Sequence, residues 1–199
     1  MKIKAVESIL KGEKTILLFG ERAGQQWLGA SDALYPMYGM PLLSEELLYT
    51  IFDIDEKKQD KFYFEDRAEL PWGITASDFD RAEVALERGS ICIVARGRVL
   101  EPIKTSQGTV FINRKYLAPF ADAENGVGLY ERKTEEGRIY IAVKEGFCLV
   151  GILFPVDLID EGFCDHLAEL ARLTRVAFDH KRALLKDEEQ IFFEEDEDE

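Results

Sequence analysis

At 199 residues the chain is long enough for one large domain or two small ones with a real buried core. Apolar residues make up 46% and charged residues 32%, which excludes a disordered composition, and no apolar run approaches the roughly 20 residues of a membrane helix. The formal net charge is −14, but nine acids and no base fall in 187–199, so the rest carries −5; such a body is a poor general binder of phosphate, with room only for a local basic face.

The opening Met1 to Ser8 lacks the apolar stretch and cleavage site of a signal peptide, so a cytoplasmic protein without a membrane partner is expected. Met1-Lys2-Ile3 reads as strand-like. A helix follows from Lys4 to Lys11, with Val6, Ile9 and Leu10 on one side and Gly12 as its stop. Thr15 to Phe19, Gln25 to Leu28 and Ala33 to Tyr38 have strand character. Ser44 opens a helix with Glu45 and Glu46 in its first turn, and Leu47, Leu48, Ile51 and Phe52 form its apolar side. Phe62 to Phe64 is a short strand. Ser77, with Asp80 in the capping-box position, predicts a further helix whose Phe79, Ala82 and Leu86 share a face and which Gly89 stops.

Strands are then expected at Ile91 to Ala95, Val99 to Lys104 and Thr109 to Ile112, followed by a helix from Arg114 to Asp122. Gly128 to Lys133, Arg138 to Lys144 and Cys148 to Phe154 carry the clearest β signal. Ile139, Ile141 and Val143 alternate with their neighbours, while Cys148 to Phe154 is apolar throughout except at Gly151, as in a strand covered on both faces. The last long element, 160–186, is helical: Asp160, Glu161 and Asp165 open it, and Arg172, Arg175, Lys181, Arg182 and Lys186 fill its later half, matching the helix dipole. Its stripe of Phe163, Leu167, Leu170, Leu173, Ala177 and Leu184 is about 40 Å long, more than one small core covers, so pairing with a partner or a second copy is expected.

The fold class expected is α+β with mainly antiparallel sheets and a long C-terminal helix. The domain is 1–159, the helix 160–186, and 187–199 an acidic, disordered tail. Two stretches within the domain, 1–43 and 110–159, share the order strand, helix, three strands, which suggests a βαβββ unit written twice whose sheets pair.

That order, with Phe111-Ile112-Asn113-Arg114-Lys115-Tyr116-Leu117 and a closing Phe154-Pro155-Val156, resembles the building unit of DNA sliding clamps over about a quarter of the chain. The resemblance implies basic helices against DNA, for which Lys4, Lys11, Lys14, Arg114 and Lys115 are the candidates. Gln26-Trp27-Leu28-Gly29, Ala33-Leu34-Tyr35-Pro36-Met37-Tyr38-Gly39 and Ile51-Phe52-Asp53-Ile54 resemble an uncharacterised family of phage and prophage proteins of Gram-positive bacteria. That resemblance implies a small accessory protein of a mobile element.

Catalytic motifs do not emerge. Cys164, Asp165 and His166 project about 100° or 200° apart around a helix, and His166 and His180 stand about 21 Å apart along one. No phosphate-loop, HExxH, GxSxG or EF-hand spacing occurs, so no catalytic residue, metal or cofactor is assigned. Cys92, Cys148 and Cys164 form no CxxC pair and sit among apolar neighbours, which predicts reduced, buried thiols. Trp27, Tyr35 and Tyr38 are read as core and loop anchors. Ile191, Phe192 and Phe193, inside the acidic tail, are the candidates for docking in a partner's apolar groove. The expected function is that of a non-catalytic phage or prophage accessory protein binding a protein or the replication machinery. A clamp-like DNA-binding module and an enzyme with a dispersed site are the alternatives.

Overall fold

The structure is a computed structural model that describes residues 1–20, 25–71, 73–123 and 126–195, with side chains as far as 185. Two units form, Met1–Val156 and Asp157–Glu199. The first holds α1 (Ile3–Glu13), β1 (Thr15–Phe19), β2 (Trp27–Ala30), β3 (Ala33–Pro36), α2 (Glu45–Ile51), α3 (Glu56–Gln59), β4 (Tyr63–Arg67), β5 (Val84–Leu86), β6 (Ile93–Ala95), β7 (Arg98–Thr105) and β8 (Gly108–Asn113). A 3₁₀ helix (Arg114–Phe120) and β9 (Gly128–Lys133), β10 (Ile139–Glu145) and β11 (Cys148–Leu153) complete it; the second unit is α4 (Glu161–Glu195). Both helices and mainly antiparallel sheets are present, as an α+β fold requires.

The main sheet has eight strands in the order β4-β1-β2-β3-β11-β10-β9-β5. Two three-stranded meanders, β1 to β3 and β9 to β11, therefore run outward from a central seam where Leu34 pairs with Ile152 and Ala33 with Leu153. These are the two stretches the sequence sets side by side. The edges differ, β4 being parallel to β1 and β5 antiparallel to β9. β6, β7 and β8 form a separate small sheet.

Alternation along the strands sends side chains to two apolar clusters. Ile16, Leu18, Leu28, Tyr35, Ile141 and Val143 meet Val6, Ile9 and Leu10 of α1, Leu48 and Phe52, and Tyr116 and Phe120 of the 3₁₀ helix. Phe19, Trp27, Leu34, Tyr140, Ala142 and Ile152 form the second cluster, against which Leu70, Ile74 and Ala76 pack. Gly151 is required by this packing: a Cβ there would lie 2.6 Å from Phe120 Cζ.

Several local expectations are corrected. Met1 and Lys2 precede α1 and Ile3 belongs to it, so no strand opens the first half. α1 also runs past Gly12. Lys14, at φ 54°, takes the left-handed cap and its N–H reaches the carbonyls of Leu10 and Lys11. The segment from Arg114 is a 3₁₀ helix ending at Phe120, with Pro119 inside it. The helix expected from Ser77 is absent. Ser77 Oγ accepts from Phe79 N–H and Asp80 Oδ1 from Ala82 N–H, which satisfies the local backbone as turns, and β5 follows. Cys148 and Cys164 are exposed and Cys92 half-buried, because they stand at a strand start, on α4 and beside β6 rather than at inward positions. Trp27 and Tyr35 are core residues as expected, and Tyr38, though half-exposed, anchors its turn by donating from its hydroxyl to Leu149 O at 3.0 Å.

The second unit is almost entirely α4, with Asp160 Oδ1 accepting from Phe163 N–H at its start. Its backbone runs on to Glu195, into the stretch set apart above as a tail; residues 196–199 lie outside the described residues. Among the described residues no helix is long and apolar enough to cross a membrane.

Candidate nucleic-acid interface

α1 and the 3₁₀ helix lie side by side and antiparallel. Lys2 N–H donates to Pro119 O and Lys2 pairs with Asp122 at one end, while Glu13 meets Lys115 and Tyr116 at the other. The contact at the second end gathers most of the cations that the sequence singled out.

Glu13 organises it. Its Oε2 accepts from Ser31 N–H at 2.9 Å and Ser31 Oγ at 2.8 Å, and its Oε1 accepts from Tyr116 Oη at 2.6 Å and lies 2.5 Å from Lys115 Nζ. Burial alone would raise the Glu13 carboxyl, but the hydrogen bonds from Lys115, Tyr116 and Ser31 outweigh it and hold the group below its ordinary value. These tertiary bonds also explain why α1 keeps its last turn beyond Gly12. Asp32, 3.4 Å from the same tyrosine hydroxyl, is shifted the other way: burial and the Glu13 charge raise it against the pull of Arg98, whose Nη1 is 3.9 Å away. Burial and the Glu13 hydrogen bond hold the Tyr116 phenol far above its ordinary range. Both Glu13 oxygens are engaged twice, so the group is a brace rather than a free base.

On one side of Glu13 is a concavity of about 360 Å³ lined by Lys11, Lys14, Lys58 and Lys61 together with Asp53, Ile54 and Phe62. Lys11 and Lys58 have acidic partners, Glu7 and Asp55, each at 2.7 Å; Lys14 and Lys61 enter no ion pair among the described residues. The attraction of a helix C-terminus for cations explains Lys11 and Lys14. It does not explain Lys58 and Lys61, which come from another element. They arrive because Tyr63 N–H donates to Lys14 O at 2.9 Å, opening the β1–β4 ladder and drawing the end of α3 alongside α1.

On the other side is a concavity of about 420 Å³ lined by Gly97, Arg98, Val99, Asn113, Arg114 and Lys115. Asn113 Oδ1 accepts from Lys115 N–H and starts the 3₁₀ helix, which turns Arg114 and Lys115 outward; Lys115 Nζ lies over the Tyr116 ring. Arg114 enters no ion pair among the described residues.

Of the five cations named from sequence, the structure therefore places Lys11 and Lys14 in one concavity and Arg114 and Lys115 in another, with Glu13 next to Lys14 in the chain and paired with Lys115. Lys4 stays apart, on the same stripe of α1 as Lys11 but about 10 Å earlier along the axis. Lys58, Lys61 and Arg98 were missed. The signals in the sequence were the Lys57-Lys58 and Lys61 cluster and the Arg96-Gly97-Arg98 turn, both far along the chain from Lys14. The side chains of Ile191, Phe192 and Phe193 lie outside the described residues. Among the described residues no group of three or more His, Cys, Asp or Glu side chains is placed to hold a metal. Compared with protein-family models, with curated proteins and with solved structures, the chain matches none.

Proposed function

We propose that the chain is a non-catalytic accessory protein, cytoplasmic and of phage or prophage origin, that works by binding, and that the cationic face of its first unit takes a DNA backbone. The observation that carries this reading is the gathering of cations from four separate stretches into two concavities, Lys11–Lys14 with Lys58–Lys61 in one and Arg98 with Arg114–Lys115 in the other, in a body whose net charge is negative. Lys14, Lys61 and Arg114 enter no ion pair among the described residues, which leaves their charges to meet phosphates. Lysines and arginines with no base-reading groove element between them suit backbone contact without sequence choice.

The test is fluorescence anisotropy with short labelled single- and double-stranded DNA between roughly 50 and 200 mM salt. Binding is expected to weaken with salt, with a log–log slope of about −3 to −4 for four phosphate contacts. The double variants Lys14→Ala/Lys61→Ala and Arg98→Ala/Arg114→Ala should weaken binding equally for all sequences and reduce the slope by about 1 per cation removed. No binding at the lowest salt, or binding that ignores these variants, defeats the proposal.

A further inference from the structure

Independently of the cationic face, the side of the sheet turned away from α1 holds a hollow of about 440 Å³. Small-ligand sites fall in the range of roughly 300–1,000 Å³. The hollow forms because the stretch after β4 is pinned to the sheet at separate points and leaves a gap between them. Gly73, at φ 66°, comes so near the β9–β10 turn that a Cβ would lie 3.0 Å from the Glu135 nitrogen, and Thr75 N–H donates to Tyr140 Oη at 3.1 Å. Pro71, Ile74, Ile139, Phe154 and Pro155 open on the gap, and each of them is only half-buried.

The polar side chains on its walls are, with one exception, donors with capacity unspent. Tyr140 is 1% exposed, and its hydroxyl accepts from Thr75, so the hydroxyl hydrogen has no acceptor among the described residues. Thr134 Oγ1 accepts from Arg138 N–H at 3.2 Å and is left in the same state. Arg67 gives Nε and Nη2 to Glu65 and keeps Nη1, while Arg138 meets Glu136 only at 3.3 Å. The exception is the Glu136 carboxylate, and an exposed pair such as its own with Arg138 holds weakly. The walls lack apolar cover and the donors lack an acceptor. A neutral apolar molecule leaves the donors unmet, and an inorganic anion leaves the walls bare. We propose that the hollow binds a small carboxylate with an apolar body, its charge at the arginine donors and its body against Ile74, Ile139 and Phe154.

The test titrates the full chain, with its isoleucine methyl groups labelled, with phenylbutanoate. Saturating NMR shifts are expected at Ile74 and Ile139. Phenylbutanol, which keeps the body and lacks the charge, should bind about tenfold more weakly, and acetate should leave both methyl groups in place. Arg67→Gln/Arg138→Gln should weaken phenylbutanoate binding by about tenfold. Both side chains are largely exposed, so this variant should retain the far-ultraviolet circular dichroism of the parent. Lys14→Ala/Lys61→Ala separates the hollow from the cationic face and should bind phenylbutanoate as the parent does. Unmoved Ile74 and Ile139 overturn the proposal, as does an alcohol that binds as tightly as the acid. So does binding that is lost with the lysines rather than with the arginines.

Discussion

One face of the eight-stranded sheet is covered by α1, α2 and the 3₁₀ helix, and the other by the stretch from 70 to 83, which contains no helix or strand among its described residues. The two coverings are held by different chemistry. On the helical face, apolar side chains such as Val6, Leu10 and Phe52 suffice, because a helix satisfies its own backbone. The irregular stretch leaves carbonyls to be met, and the sheet supplies a buried cation to meet them. Arg132, with a fully buried side chain, donates to the carbonyls of Ser77 at 2.7 Å, Thr75 at 3.3 Å and Asp78 at 3.4 Å, and to Glu83 Oε2 at 2.5 Å. Lys144 Nζ closes the group 2.7 Å from Glu83 Oε1. Where backbone bonds are not internal, a charge buried for that purpose takes the place of a helix.

The contrast breaks first at the arginine. Arg132→Ala leaves Glu83 and several carbonyls unmet and is expected to cost about 3–5 kcal/mol in urea unfolding. Arg132→Lys should recover little of it, since one ammonium does not reproduce a planar fork. On the helical face Leu10→Ala should cost about 2–5 kcal/mol, but Leu10→Met under about 1.5 kcal/mol, because there only volume and apolarity count. A sheet face on which the arginine tolerated a conservative exchange as readily as the leucine would erase the distinction.

Tyr116→Phe removes the hydroxyl shared by Glu13 and Asp32 and should cost about 1–2 kcal/mol. Acid sharpens the comparison further. Burial would raise Glu83, but Lys144 and Arg132 hold it below the ordinary 4.5, as Lys115, Tyr116 and Ser31 hold Glu13. The stability these two contribute is present above about pH 4.5 and lost as the pH falls through their folded-state values. Asp32 runs opposite, its raised value giving stability that is full below its ordinary 3.8 and lost as the pH climbs through the folded-state value. Urea midpoints across the acid range should therefore show a shallower acid loss in Glu83→Gln, whereas Asp32→Asn is the mildest change of all and should not lower stability at neutral pH.

Reading the letters succeeds where a side-chain period carries the information. Alternation at Ile139, Ile141 and Val143 marks β10, and Gly137, at φ 81°, marks the turn before it. It fails at Ser77, whose cap chemistry serves a turn as well as a helix, because the deciding partner is Arg132, 55 residues away. At the cationic face Lys11, Lys14, Arg114 and Lys115 were visible because two short segments carry them. Lys58, Lys61 and Arg98 were not, since their place depends on the β1–β4 ladder and on the small sheet.

The sequence by itself determined that the chain alternates helices with amphipathic strands, that its last helix carries one apolar stripe with acids before bases, and that its charge lies mostly at the end. These are properties of local period and composition, which neighbouring residues set among themselves. The tertiary structure alone decided that the two meanders meet at Leu34 and Ile152, that Arg132 rather than a helix secures the second face, and that lysines from α1 and α3 share one concavity. Those outcomes depend on which distant backbone groups find partners once the core excludes water, and no local pattern encodes that choice.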